Sequence, residues 1–173
     1  GFIVNEDITT TKTNDIVRFQ NVPIYEGTLV TAKYTVDNSD LEKRFLVTDN
    51  RADTTTLKVS VQNSAADLTT TIYTLATDIS QVTATSNVYF LQEIEDGKFE
   101  VYFGDDVVGN KPTDGNIVIL EYIVTNKGAA NGAKTFSGTA FSGITDYNIT
   151  TTSIAGGGAE PETIQSIKYN APL

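Results

Sequence analysis

The sequence lacks cysteine, histidine, methionine and tryptophan altogether. Without cysteine and histidine, this chain cannot form zinc sites on thiolate or imidazole ligands, cysteine nucleophiles or Ser-His-Asp triads. Any acid–base catalysis would then rest on its carboxylates. Most classes of enzyme are therefore excluded before any motif is considered.

Positive charge is also scarce. Twelve Lys and Arg residues face 22 Asp and Glu residues, which gives a net charge of -10. Such a chain lacks the overall positive charge that neutralises nucleic-acid phosphates, and an anionic membrane surface would repel it. Its longest apolar run, residues 117–124, is interrupted by Glu121 and is far shorter than the ~20 residues that span a bilayer. We expect neither nucleic-acid binding nor membrane insertion.

The remaining composition is that of a soluble globular protein. The 173 residues are 39% hydrophobic and 20% charged, which is enough for one domain that folds without disulfides or metal. Val30, Ala32, Tyr34 and Val36 alternate with polar residues, and this period of two is typical of a strand with one buried face. Strands are predicted at residues 30–36, 57–61, 89–95, 98–103 and 116–124, with shorter candidates at 16–20, 45–47, 70–75 and 147–154.

The clearest local signal is the dipeptide Asp96-Gly97, which predicts a type I′ hairpin turn between two strands. Pairing Glu95 with Lys98 would place Phe90 opposite Phe103, Gln92 opposite Val101, and Ile94 opposite Phe99 on a core face. The sequence therefore predicts both the hairpin and its register.

Helix is predicted in only two places, a turn at residues 78–82 and a helix at residues 160–170, where Pro161 and Glu162 suit a helix start. The run Gly156-Gly157-Gly158 before it reads as a linker or tight turn. The sequence thus predicts a mainly β fold, an antiparallel β-sandwich-like domain over residues 1–155 with a short C-terminal helix within 156–173.

The case for an enzyme rests on carboxylates in the predicted hairpin. Strand geometry would place Glu93 and Glu95 about 6.6 Å apart, and Glu93 about 5 Å from an opposed Glu100. Both separations resemble those of glycosidases. Any acidic strand face gives such spacings, and Lys98 would soften the repulsion. We therefore predict a solvated acidic face, no catalytic residue and no enzyme.

Three other patterns have a functional and an ordinary interpretation. Asp105, Asp106 and Asp114 share one loop, where oxygen ligands could hold calcium, but their spacing is not that of an EF-hand. The segment from Gly104 to Gly109 is glycine-rich but lacks the Lys-Ser/Thr ending of a phosphate-binding loop. Asn148-Ile149-Thr150 is formally a glycosylation acceptor. We favour the ordinary interpretation of each pattern: the aspartates stabilise turns, the glycine-rich segment connects two strands, and the glycosylation pattern arises by chance. We therefore predict no metal or cofactor.

Residues 99–132 carry a more specific pattern. A strand ends in Phe103-Gly104-Asp105-Asp106, a Gly109-x-x-Pro112 loop follows, and a second strand leads to a small-residue turn ending in Asn131-Gly132. This order resembles the hallmark of the baseplate J-like family. Residues 157–172, with their Gly-Gly start and Ala-Pro ending, resemble that family's tail. Within the family, the chain is most similar to the baseplate wedge subunits of T4-like contractile-tailed phages.

The resemblance implies a structural protein of the virion, assembled in the host cytoplasm into the ring around the baseplate hub. Its partners would be other baseplate wedge proteins and further copies of itself. An alternative of another class is a tail-associated carbohydrate- or receptor-binding β-sandwich module. One departure is that Asp106 stands where the family has glycine, which places a positive φ there in question. In the family more sequence follows the Ala-Pro ending, so we expect a C-terminal region beyond this chain.

Overall fold

The computed structural model describes residues 1–40, 44–138, 144 and 146–159. The chain divides into two compact units, one of residues 1–7 and 24–125 and the other of residues 8–23 and 126–173. The predicted helix at residues 160–170 lies outside the described residues.

Eleven strands and three short 3-10 helices are found in the described parts of the chain. The strands are β1 (Phe2–Ile3), β2 (Lys12–Thr13), β3 (Ile16–Val17), β4 (Tyr25–Glu26), β5 (Thr28–Thr35), β6 (Phe45–Val47), β7 (Ala52–Gln62), β8 (Thr70–Leu75), β9 (Val88–Glu93), β10 (Phe99–Phe103) and β11 (Ile117–Val124). The 3-10 helices are Ile79–Gln81, Glu95–Gly97 and Lys127–Ala130.

Seven strands form one sheet in the order β5-β11-β7-β8-β9-β10-β6. All neighbours are antiparallel except β8 and β9, which pair in parallel only at Thr74–Val88 and Leu75–Tyr89. This short junction divides the sheet into a four-stranded and a three-stranded half. The strand β11 is paired on both sides, as its nearly continuous apolar sequence predicted. The prediction of a mainly β fold is confirmed, with the strands of the core in one mixed sheet.

The core lies between the two halves of the sheet. Val118 and Leu120 from β11 and Val101 from β10 are fully buried and belong to one cluster. Three T-shaped ring pairs extend this cluster, with centroid distances of 5.8 Å for Tyr34–Phe45, 5.5 Å for Phe45–Phe103 and 5.1 Å for Tyr73–Phe103. The Tyr34 hydroxyl also donates to the Leu46 carbonyl at 2.7 Å, so β5 and β6, the first and last strands of the sheet, approach each other.

The hairpin forms at the predicted dipeptide, but its predicted register is wrong by one residue. Asp96 and Gly97 have φ of 63° and 68°, as a type I′ turn requires. Lys98 is then bonded to two residues of the opposing strand, since its carbonyl accepts from Ile94 N at 2.8 Å and its N–H donates to Glu95 at 3.4 Å. One extra residue on the first strand is a β-bulge, and it shifts every pair that follows.

The bulge changes which side chains of β9 face the core. Phe99, Val101 and Phe103 contact the core as predicted, but their cross-strand partners are Glu93, Leu91 and Tyr89. Phe90, predicted to be in the core, instead stacks on Tyr102 with centroids 5.2 Å apart. Ile94 and Gln92 are likewise not opposite Phe99 and Val101.

Among the other local predictions, one turn and two strands are confirmed and one strand is wrong. The turn at residues 78–82 is a 3-10 helix whose Asp78 carboxylate accepts from Ser80 N at 3.0 Å, which is standard N-capping. β6 and β8 have the predicted bounds. The strand predicted at residues 147–154 is absent from that described stretch, although its Thr- and Ile-rich composition favours a strand.

In the described residues, no helix is long and apolar enough to cross a membrane.

Candidate interaction surfaces

The loop between β10 and β11 carries most of the residues singled out by sequence. A Cβ on Gly104 would lie 2.1 Å from the Val108 carbonyl oxygen and 2.4 Å from that of Gly109, so no other residue fits there. The loop joins two strands and opens no helix, which confirms the strand–loop–strand prediction.

Asp106, which stands where the baseplate J-like family has glycine, adopts a positive φ. Its φ is 67°, and its N–H donates to the Gly109 carbonyl at 3.0 Å. The Asp106 carboxylate accepts from Lys111 N at 2.8 Å. Short polar side chains tolerate the left-handed region when they hydrogen-bond locally, so Asp106 preserves the bend that glycine would make.

The other two acidic residues of this loop also bind backbone N–H groups. Asp105 accepts from the N–H groups of Val107 and Val108, both at 3.0 Å, and these bonds hold the pKa of Asp105 below its usual value. Asp114 accepts from Asn38 N at 2.9 Å. Among the described residues, no three or more acidic side chains are grouped so as to hold a metal ion. The carboxylates thus act as ordinary turn stabilisers.

The predicted acidic face of the hairpin is wrong, because the bulge separates its members. Glu93 lies opposite Phe99 and Glu100 opposite Gln92. Directly opposed residues share a face while neighbours along a strand alternate, so Glu93 and Glu100 project to opposite faces. Glu100 forms an ion pair with Arg44, with 3.8 Å between Nε and the carboxylate oxygen. Glu93 and Glu100 therefore do not form the close pair that the predicted register gave them.

A shallow cleft of about 240 Å³ opens beside the loop of residues 104–116, which we call the Asp105 loop. Its walls include Arg44, Tyr102 and Lys111 together with Asp37 and Asp105. The Arg44 guanidinium lies 4.9 Å from the centre of the Tyr102 ring. Because the walls carry charges of both signs, the cleft favours no ligand of a single charge.

The strand β8 has an incomplete set of neighbours. It pairs with β7 from Thr70 to Tyr73, but with β9 only at Thr74 and Leu75. Ile72 is 75% exposed and the nearby Leu68 is 72% exposed. This segment, which we call the β8 edge (Thr70–Tyr73), is thus an accessible strand edge with an apolar side chain.

The second unit has an exposed hairpin that the sequence analysis missed. β2 and β3 pair through Lys12–Val17 and Thr13–Ile16, and the turn residues Asn14 and Asp15 have φ of 49° and 62°. All residues from 9 to 21 are exposed, including Phe19 at 53%. Asn-Asp tolerates two positive φ angles, so this dipeptide was the signal that could have located the turn.

Comparison with known proteins identifies the family. Residues 29–132, more than half of the chain, match the family described as bacteriophage baseplate wedge protein gp6, third domain. The chain belongs to this gp6 third-domain family. The chain is also similar to the baseplate wedge protein gp6 of Enterobacteria phage T4, with 26% identity over 191 residues. That alignment covers 97% of this chain but 28% of the T4 protein.

The gp6 third-domain match begins within β5 and ends after β11, at Gly132. It therefore includes the seven strands of the sheet, the Asp105 loop and the β8 edge. The prediction of a domain of a phage baseplate wedge protein is confirmed.

Proposed function

We propose that this gp6 third domain is a rigid, non-catalytic module of the wedge that contacts neighbouring baseplate subunits in the ring around the hub. Its partners would be other wedge proteins and further copies of the subunit, and it would assemble in the host cytoplasm into the virion. The observation that supports this most is the family match across the whole seven-stranded sheet.

The packing of the first unit supports a rigid role. Its core residues from both halves of the sheet form one cluster with several fully buried side chains. Among the described residues, no buried side-chain nitrogen or oxygen lacks a hydrogen-bond partner. Satisfied polar groups and a continuous core favour a single conformation, which suits a module that transmits position between neighbours.

The non-catalytic part of the proposal rests on the separation of Glu93 and Glu100. Replacing both by Gln should leave the fold intact. The variant and the natural chain should not differ in any hydrolysis of glycosidic substrates. Hydrolysis by the natural chain that disappears in this double variant would contradict the proposal.

The alternative of carbohydrate or receptor binding has weaker support. Its natural platform would be the stacked rings of Phe90 and Tyr102, but Arg44 already lies over the Tyr102 ring. We further propose that the Asp105 loop is the hallmark loop of the baseplate J-like family.

Electron microscopy of intact tails with gold-labelled antibodies against this chain tests the proposal. Label should concentrate at the baseplate, with none along the sheath or on the fibres. Label at fibre tips would favour the receptor-binding alternative, and tails without label would contradict a structural role.

A further inference from the structure

The backbone of β8 has an alternating pattern of paired and open groups. Asn63 N donates to the Thr69 carbonyl at 3.0 Å, so Asn63 and Thr69 continue the antiparallel ladder as a hydrogen-bonded pair. Hydrogen-bonded and non-hydrogen-bonded pairs alternate in such a ladder. Thr71 and Tyr73 therefore bond to β7 through Val61 and Val59, whereas the N–H and C=O groups of Thr70 and Ile72 point away from β7.

The backbone N–H groups that point away from β7 donate hydrogen bonds only at the C-terminal end of β8. Thr74 N donates to the Asn87 carbonyl at 3.0 Å, and Ala76 N donates to that of Tyr89 at 2.9 Å. This is the same side as Thr70 and Ile72. Within the described residues, neither of those two residues has a strand partner on this side. The β8 edge thus presents two N–H and two C=O groups in the spacing of a strand.

In the part of the chain that the structure describes, this edge has none of the features that normally prevent pairing. Natural edges carry lysine, proline, bulges or a covering element. Residues 68–77 contain no charged residue and no proline, and the ladder between β7 and β8 has no bulge. An exposed, uncharged edge with Ile72 beside it is therefore suited to accepting a strand, the recognition mode known as β-augmentation.

The acidic residues around the β8 edge determine which kind of strand can pair with it. Asp67 precedes the edge, and hydrogen bonds from the Asn63 side chain and the Thr69 N–H lower its pKa. At the other end Asp106 is near Tyr73, whose pKa is raised by burial and then by the negative charge of Asp106. A second copy would bring its own Asp67 and a further net charge of -10, which opposes self-pairing.

We propose that the β8 edge binds an extended segment of a different polypeptide, uncharged where it pairs with Thr70–Tyr73 and flanked by basic residues. Its side chain beside Ile72 would be apolar, because packing there removes the exposed Ile72 from water. The inference rests on the proposed function, in which the module contacts neighbouring subunits, and it names the surface and the chemistry of one such contact.

Amide hydrogen exchange of the free chain, resolved by residue, tests the first part. The amides of Thr70 and Ile72 should exchange rapidly, and those of Thr71 and Tyr73 slowly. Protection of Thr70 and Ile72 in a dilute monomer would overturn the proposal, because the edge would then already be occupied. This readout requires no baseplate, so its failure is distinguishable from failure of the proposed function.

The second part uses a peptide of sequence Lys-Thr-Val-Thr-Val-Thr-Lys as the probe. At about ten times its Kd, exchange at Thr70 and Ile72 should slow about tenfold, with little change at Thr71. The same peptide with Glu at both ends should bind roughly two- to fivefold more weakly for each exposed ion pair lost. No slowing at millimolar peptide would overturn the proposal. Protection that depends on protein concentration, with a dimer in sedimentation, would assign the edge to a second copy instead.

Ile72→Pro provides the matched variant. Proline removes the outward N–H of Ile72, which β7 does not use, and edge strands accept proline in that orientation. Peptide binding should be lost, whereas Ile72→Thr, which keeps the N–H, should retain it. Equal binding by both variants would contradict strand addition. If Ile72→Pro does not fold, the exchange pattern of the natural chain with the peptide decides the question.

Discussion

The hydroxyl of Thr56 accepts a hydrogen bond from the backbone N–H of Ile123 at 3.0 Å. The same hydroxyl donates to the Asp53 carbonyl at 2.7 Å. Here the register between β7 and β11 shifts between Glu121 and Ile123. Since Thr56 is 5% exposed and Ile123 is fully buried, the hydroxyl of Thr56 connects the two strands in the interior at this irregularity.

Thr56→Val should therefore destabilise the fold. The substitution keeps the shape of the side chain but removes both hydrogen bonds of the buried hydroxyl, which costs about 1–3 kcal/mol in the free energy of unfolding. Thr31→Val on the exposed face of β5 is the control and should change that free energy by less than about 0.5 kcal/mol. Urea melts of the three proteins make the comparison, and equal midpoints would contradict the assigned role of Thr56.

Leu120 tests the placement of the core. It is fully buried in β11, so Leu120→Ala should lower the free energy of unfolding by about 2–5 kcal/mol. Leu68, 72% exposed, gives the matched control, and Leu68→Ala should fall within about 0.5 kcal/mol of the natural chain. Similar losses for both variants would mean that the sheet buries the opposite face of β11.

Gly104 tests the Asp105 loop. A methyl group there would collide with two backbone carbonyls, so Gly104→Ala should destabilise the fold by about 1–3 kcal/mol. Gly156, where an added Cβ meets nothing within 4 Å, is the control, and Gly156→Ala should be close to neutral. Thermal melts of the two variants and the natural chain compare their stabilities. If Gly104→Ala is as stable as the natural chain, the loop is less tightly folded than described.

Asp105 links loop stability to pH. Hydrogen bonds from Val108 N and Val107 N lower its pKa in the folded state, whereas the unfolded value is about 3.9. A carboxyl with a depressed folded pKa stabilises the fold above the unfolded pKa, and this contribution disappears as pH falls through the folded pKa. Below about pH 4, stability should thus decrease less steeply in Asp105→Asn than in the natural chain. Urea melts at several pH values between neutral and acidic measure the slope, and identical slopes would contradict the linkage.

The sequence was sufficient to predict the elements whose patterns are local. The apolar run of β11, the alternation of β5 and the Asp96-Gly97 turn each predicted the observed structure. The hairpin register was missed because a bulge at Ile94 and Glu95 depends on how β9 and β10 pack, which no dipeptide specifies. The error moved Phe90 out of the core and separated Glu93 from Glu100.

The β8 edge could not be predicted at all. The strand itself was expected at residues 70–75, but its open side depends on where β9 diverges from it, and this is a property of the whole sheet. The Thr56–Ile123 bond was missed for the same reason. In contrast, the strand–loop–strand connection of the Asp105 loop was predicted from the sequence, because its glycine and aspartate residues are local turn signals.

Electron cryomicroscopy of the intact tail tests whether this domain is a structural module of the baseplate. At a resolution that separates strands, density for the sheet β5-β11-β7-β8-β9-β10-β6 should lie within the baseplate, in contact with neighbouring subunits. A baseplate whose density is fully explained by other chains, with this sheet found elsewhere on the virion or not at all, would contradict it.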